Sequence, residues 1–396
     1  MKYISLIAVA VFLLGCNQKK NSTKTENFIS IDQDYELALK TASKENKLLF
    51  IDFYTTWCAP CKEVDELVFQ NDSIQQILKK DYVFLRYNAE NDTVFHLSKK
   101  HHVSSYPTGL VLNSNGYVVN RKYGFPGDDF KSLSKSVLEF TTQSKELSKQ
   151  AKFLDGYSNS ISISKYPKFY IDYINRTNTK INPSELNAYW AKEQDVFSEE
   201  YFSTLIYFAR EASNTISNTT LQNKKKYVAL FGKTDVDILF YFLTSGKFNT
   251  AILEKDQLKY DEAIVFAKEA LSKSWTDDIL PSFEIDFLKA QNKWRTVFEI
   301  NHQLKKEGKF SSGEINYFCW DVYQNCDDME VVKKCLSWMQ EVISEEPSYA
   351  FLDTYAFLMY KSGDKNETKK IVEVAIEAAI KENKKTEDLK KLLNKL

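Results

Sequence analysis

Glycine and proline are scarce in this chain, 11 and 7 among 396 residues, whereas phenylalanine and tyrosine number 27 and 23. Few breakers and many large aromatics exclude a collagenous, low-complexity or disordered polypeptide and point to a helix-rich globular one. An excess of charge of either sign is missing too: 53 basic residues meet 54 acidic ones, for a net charge of −1. No basic field therefore marks a nucleic-acid partner. Beyond Cys16 no apolar run approaches the roughly 20 residues that cross a bilayer. Cysteine is limited to Cys16, Cys58, Cys61, Cys319, Cys326 and Cys335. Only Cys58 and Cys61 form a close pair, so a zinc site lacks its remaining ligands. A c-type haem site needs histidine directly after the second cysteine, and Lys62 stands there. No metal and no cofactor is expected.

What is present begins with Lys2 and Tyr3, then an apolar stretch over residues 4–14, then Gly15-Cys16 and the polar run Asn17-Gln18-Lys19-Lys20. A charged start, a short apolar run and a small residue before the break make a secretory signal. Leu13-Leu14-Gly15-Cys16 resembles a bacterial lipobox, which implies that residues 1–15 are a removable signal peptide and that Cys16 becomes a lipid-bearing N-terminus. The alternative is an ordinary signal peptide with an incidental cysteine. Multiple acylation would anchor stably, because each buried CH₂ contributes about 0.8 kcal/mol. Residues 16–27 are rich in Lys, Asn and Thr and read as a flexible spacer. The expected location is a bacterial membrane, outer rather than inner, with the body facing the periplasm.

The next segment, residues 28–150, alternates short elements. Tyr35, Leu37, Ala38, Leu39 and Ala42 recur at helical spacing. Residues 48–54 form an apolar run broken only by Asp52, as in a buried strand. A second strand is expected over 82–87 and a helix over 93–102. Residues 110–112 and 117–122 flank Asn113-Ser114-Asn115-Gly116, a hairpin signature. A helix over 128–149 closes a compact α/β domain.

Cys58 and Cys61 follow directly on the first strand, inside Trp57-Cys58-Ala59-Pro60-Cys61, and residues 62–69 have helical periodicity. Cys58 is thereby placed at a helix N-terminus, where unpaired N–H groups and the helix dipole favour a thiolate. A thiol of pKa about 8.5 is only ~3% ionised at pH 7; lowering it to about 7 raises the nucleophile roughly fifteenfold. Cys61, one turn on, is within disulfide reach. An exposed attacking thiol and a recessed resolving one suit exchange through a mixed disulfide; a purely structural disulfide is the alternative. His101-His102 reads as a surface pair, because adjacent side chains diverge and no acid or cysteine is spaced to complete a metal site. Cys319, Cys326 and Cys335 read first as buried small hydrophobes, although one disulfide among them would suit an oxidising compartment.

These residues resemble thioredoxin over about 34–149. Asp52, in the strand six residues before Cys58, stands where thioredoxins carry a buried acid, and Tyr106-Pro107-Thr108 occupies the place of the family's cis-proline. Arg86 replaces the lysine that many thioredoxins place near that acid. The run over residues 62–69, followed by Asp72-Ser73-Ile74, is most similar to the thioredoxin-like domains of periplasmic electron-transfer reductases. The resemblance implies a redox-active Cys58–Cys61 disulfide, Asp52 as the catalytic proton carrier, and substrate contacts at Trp57, Pro60, Tyr106 and Pro107. A carboxyl group buried in an apolar strand is also costly to ionise, so its pKa should rise toward neutrality. The partners implied are disulfide-containing exported proteins and a membrane thiol electron donor. Reduction is the favoured direction, with an oxidase or isomerase as the alternative.

Residues 151–396 are expected to be α-helical. Over about 280–396 the pattern resembles tetratricopeptide repeats. Within 349–383, Leu352, Tyr355, Ala356 and Met359 line a first helix, Gly363-Asp364 turns the chain, and Ile371, Val372, Ala375 and Ala379 line a second. Residues 317–344 read as a degenerate preceding unit. Such stacked pairs offer a surface for a peptide or protein partner. The rival reading from another class is a helical binding scaffold whose thiol pair is vestigial.

Overall fold

The structure is a computed structural model that describes residues 28–192 and 195–396. The expected signal peptide, the lipid site at Cys16 and the spacer lie outside the described residues. Two compact units are present. The first runs to Thr179 and takes in Phe197–Ser203 and Ala229–Thr234; the second comprises Lys180–Val196, Thr204–Val228 and Asp235–Leu396.

The first unit is built on five strands: β1 (Ser30–Asp32), β2 (Leu48–Tyr54), β3 (Tyr82–Asn88), β4 (Thr108–Leu112) and β5 (Val118–Tyr123). Their order across the sheet is β1-β3-β2-β4-β5. β3 is parallel to both β1 and β2, whereas β4 runs antiparallel to β2 and β5 antiparallel to β4. The apolar run of β2 makes it the central strand, with Leu49, Phe50, Ile51 and Phe53 fully buried. Phe50 meets Phe69, Phe84 and Phe140 edge-on, at centroid distances of 5.8, 5.3 and 5.7 Å. Gly109, opposite Asp52 on β4, must stay small, because a Cβ there would lie 2.9 Å from the Phe125 ring. β1 was not foreseen. Its three residues alternate between exposed and half-buried, and only pairing with β3 defines it.

Local signals account for most of the surrounding elements. Asp34 caps α1 (Tyr35–Glu45) by accepting from the Leu37 N–H, and Asn46 ends it in the left-handed region. α2 (Ala59–Val64) runs into one π turn, Asp65–Phe69, and α3 (Asp72–Leu78) starts at the Asn71 cap. The hairpin turn is held by the Asn113 side chain, which accepts from the Asn115 and Tyr117 N–H groups.

The helix expected over 93–102 shrinks to α4 (Leu97–Lys100). Asp92 is the reason: its buried carboxylate accepts from the Leu97 and Ser98 N–H groups, 2.9 Å each, and so starts the helix late. The last long helix, α5 (Phe130–Lys149), is closed at its start by a capping box between Asp129 and Ser132.

His101 and His102 are buried, not on the surface, at 3% and 1% exposure. Chain beyond residue 150 covers them. Tyr157 stacks on His102 at 5.8 Å, Phe202 meets the same ring edge-on, and Phe202 stacks on Phe231 at 3.9 Å. Lys100 is buried in an ion pair with Glu199, whose other oxygen accepts from the Ser158 N–H and hydroxyl at 3.0 Å. Tyr166 and Tyr170 donate to the Lys100 and Lys99 carbonyls at 2.9 and 2.6 Å. The compact unit thus continues past 150, where the sequence changes character.

The second unit is helical. Ser312–Asn325 pairs with Met329–Glu345, and Tyr349–Ser362 with Lys365–Lys381, before the short helix Glu387–Leu393. Gly363, at φ 90°, ends one helix and Asp364 caps the next. Leu352, Tyr355, Ala356, Val372, Ala375 and Ala379 are buried as their spacing predicted. Cys319, Cys326 and Cys335 are buried free thiols in an apolar cluster with Trp338 and Met339. Burial in that cluster pushes the Cys319 thiol up, as expected of an inert packing residue.

Candidate active site

β2 ends at Tyr54, and Thr55, Thr56 and Trp57 carry the chain to Cys58, the N-cap of α2. Its Sγ accepts from the Cys61 N–H at 3.1 Å, so the helix start addresses this sulfur. Pro60 sits in the first turn, where its missing N–H would have had no partner in any case. Cys58 and Cys61 are joined as a disulfide with Cα atoms 5.3 Å apart. In this form both cysteines are nearly buried, 3% and 5% exposed. The expected contrast between an exposed and a recessed thiol is absent, and helix position alone distinguishes them.

Trp57 is 63% exposed and meets the Tyr106 ring edge-on at 5.9 Å. The Tyr106–Pro107 bond is cis. The aromatic pair brings the Tyr106-Pro107 turn beside Trp57 of the cysteine motif. Together these residues make an apolar rim against which an extended chain can lie.

Asp52 is 3% exposed, and its Oδ1 has no hydrogen-bond partner among the described residues. Burial raises its carboxyl pKa to about 7; the Arg86 guanidinium opposes that rise and the Asp65 carboxylate adds to it. Arg86 is the register partner of Asp52 on β3, pairs with Asp65 at 3.1 Å and lies over the Tyr54 ring at 5.1 Å. The arrangement offers a carboxyl group that can take and return a proton near neutral pH.

Two acids were missed in the sequence. Asp65 lies four residues after Cys61, and that i,i+4 spacing on a helix was a usable signal. Glu90, in the turn after β3, accepts from the Thr56 N–H at 2.5 Å and from the Thr56 hydroxyl at 2.6 Å. Nothing in the sequence connects residues so far apart. Among the described residues no group of three or more His, Cys, Asp or Glu side chains could hold a metal ion.

Comparison with known proteins matches residues 30–114 to a family model described as thioredoxin-like. The chain is 34% identical over 122 residues to thioredoxin-like protein R548 of Acanthamoeba polyphaga mimivirus, covering 31% of this chain and 79% of that protein. It is 31% identical over 104 residues to the thiol:disulfide interchange protein DsbD of Yersinia pestis, covering 25% of this chain but only 17% of DsbD. Among solved structures, a Bacteroides thetaiotaomicron protein provisionally assigned as a disulphide isomerase is 36% identical. That match covers 28% of this chain and 93% of the other, with a TM-score of 0.25.

Proposed function

The chain belongs to the thioredoxin-like family and is a thiol–disulfide oxidoreductase, and we propose that it reduces disulfides of exported proteins through Cys58 and Cys61. The observation that carries this reading is the cysteine pair at the start of α2 with the neutral-range acid Asp52 in the adjoining strand. In the reduced enzyme the Cys58 thiolate attacks one sulfur of a substrate disulfide, forming a mixed disulfide and expelling the other substrate sulfur as a thiolate, which takes a proton from solvent. Asp52, as carboxylate, takes the proton of the Cys61 thiol. The Cys61 thiolate then attacks Cys58 Sγ, and the second substrate sulfur leaves, recovering the proton held on Asp52. Two electrons pass to the substrate, and a membrane dithiol donor restores the Cys58–Cys61 pair by the reverse exchange. Trp57, Pro60, Tyr106 and Pro107 hold the substrate backbone beside Cys58.

In the same reading Cys16 carries the lipid that holds the body on the periplasmic side of a bacterial membrane, the outer one in preference. The helix pairs over about 280–396 act as a tetratricopeptide-like surface for a peptide or protein partner. Reduction of insulin by the purified protein with a dithiol donor, compared with Cys58→Ser, tests the activity: turnover lost in the variant supports it, and no turnover in the wild type rejects it. Cys16→Ser should move the protein from the membrane to the soluble fraction; an unchanged distribution rejects the anchor.

A further inference from the structure

The turn that delivers Cys58 has only one internal backbone bond, from the Cys58 N–H to the Thr55 carbonyl at 3.3 Å. Thr56 and Trp57 lie inside that turn. Among the described residues, Glu90 is the group that hydrogen-bonds to them from outside, with one carboxylate oxygen taking both the N–H and the hydroxyl of Thr56. Glu90 is itself fixed. Its N–H donates to the Asn88 side chain at 2.9 Å, while Gln33, next to β1, accepts from the Asn88 N–H at 2.9 Å and donates to the Asn88 carbonyl at 3.1 Å. A chain of polar contacts therefore runs from the edge strand through the end of β3 to the residue two before Cys58.

We propose that Glu90 is a positioning residue of the dithiol: its carboxylate clamps Thr56 and so fixes Trp57 against Tyr106 and Cys58 at the helix start. Charged acceptors make the stronger hydrogen bonds, and a single oxygen holding two donors of one residue restrains both its backbone and its side chain. The Thr56 contacts hold Glu90 below the usual carboxylate range, with the Arg176 guanidinium adding to this, so the clamp is fully charged throughout neutral pH. Without it, the Thr55–Cys58 turn keeps one long backbone bond and Trp57, already exposed, loses its fixed edge contact. The closed disulfide, which needs the two cysteines in one geometry, then becomes less favoured relative to the open dithiol.

This inference rests on Cys58–Cys61 being the working pair, and its test separates from that reading. Glu90→Ala removes the acceptor, whereas Glu90→Gln keeps an oxygen for the Thr56 N–H. Three quantities are measured on the full chain: amide hydrogen exchange in the peptide containing Thr56, the equilibrium of the Cys58–Cys61 pair with glutathione, and kcat/KM for insulin reduction. In Glu90→Ala, exchange at Thr56 should accelerate at least about tenfold. The glutathione equilibrium should move toward the dithiol and kcat/KM should fall, each about fivefold. Glu90→Gln should recover most of all three. An unchanged equilibrium in Glu90→Ala despite faster exchange would mean that the clamp exists but does not act on the cysteines, and overturns the proposal. So would a lowered Tm in both variants with the equilibrium untouched. Should the wild type fail to reduce insulin, the reductase reading falls, while the glutathione equilibrium still decides the role of Glu90.

Discussion

Asp52 and Arg86 are register partners on neighbouring parallel strands, yet the guanidinium is turned to Asp65, 3.1 Å away, and one oxygen of the buried Asp52 carboxyl group has no hydrogen-bond partner among the described residues. An acid held beside a cation but not bonded to it keeps a high pKa with only partial relief. Asp52 therefore titrates near 7 instead of staying ionised.

Asp52 should reduce stability in exchange for function. Its folded pKa of about 7 lies above its unfolded value of about 3.9, so between these pH values the folded chain binds more protons than the unfolded one. The contribution of Asp52 to wild-type stability should fall as pH rises from about 4 to about 7 and stay level above that. Asp52→Asn removes this loss. Denaturant unfolding should show it more stable than wild type at pH 8, by up to about 4 kcal/mol, and nearly equal at pH 4. Its insulin turnover should be slower. Equal stability at both pH values would remove the basis for a buried, neutral-range acid.

Opposite shifts are expected from the two neighbours of Asp52. Arg86 lowers the Asp52 pKa and Asp65 raises it. Arg86→Gln should move the acid limb of the pH–rate profile to higher pH, and Asp65→Asn should move it lower. Shifts of the same sign in both variants would show that geometry, not charge, dominates.

Cys58 should be the attacking thiol. Iodoacetamide added to the reduced protein at neutral pH should modify Cys58 first, since its sulfur faces the α2 N-terminus. Cys61→Ser should accumulate mixed disulfides that Cys58→Ser does not form. Preferential labelling of Cys61 reverses the assignment.

A catalytic domain cut at residue 150 should fold poorly. Lys100, His101 and His102 are buried under Tyr157, Glu199 and Phe202, all of which such a cut removes. The single variant Glu199→Gln isolates the electrostatic part: burial already lowers the Lys100 pKa to about 7, so loss of its carboxylate partner should cost up to about 3 kcal/mol at pH 6 and less at pH 8, where the amine is neutral. A fragment 28–150 with a cooperative melt and a Tm equal to that of the full chain would contradict this.

The amino-acid sequence determined whatever depends on near neighbours. The apolar run of β2, the Asn113–Gly116 turn and the cysteine pair at a helix start are properties of a few consecutive residues, and each is where the pattern placed it. The placement of Asp52 six residues before Cys58 was also legible, because one buried strand leads directly into one helix.

Tertiary structure decided the rest. β1 exists because β3 offers it an edge, and α4 is short because Asp92 takes the N–H groups that would otherwise lie in mid-helix. His101-His102 looked like a surface pair because the residues that bury it are distant in the chain, Arg121 on β5 and Tyr157 and Phe202 beyond residue 150. Glu90 acquired its place beside Thr56, and Arg86 its partner Asp65, from the packing of strands against a helix. Periodicity and capping are written in steps of two to four residues, whereas burial and electrostatic pairing depend on which distant segments the finished fold sets side by side.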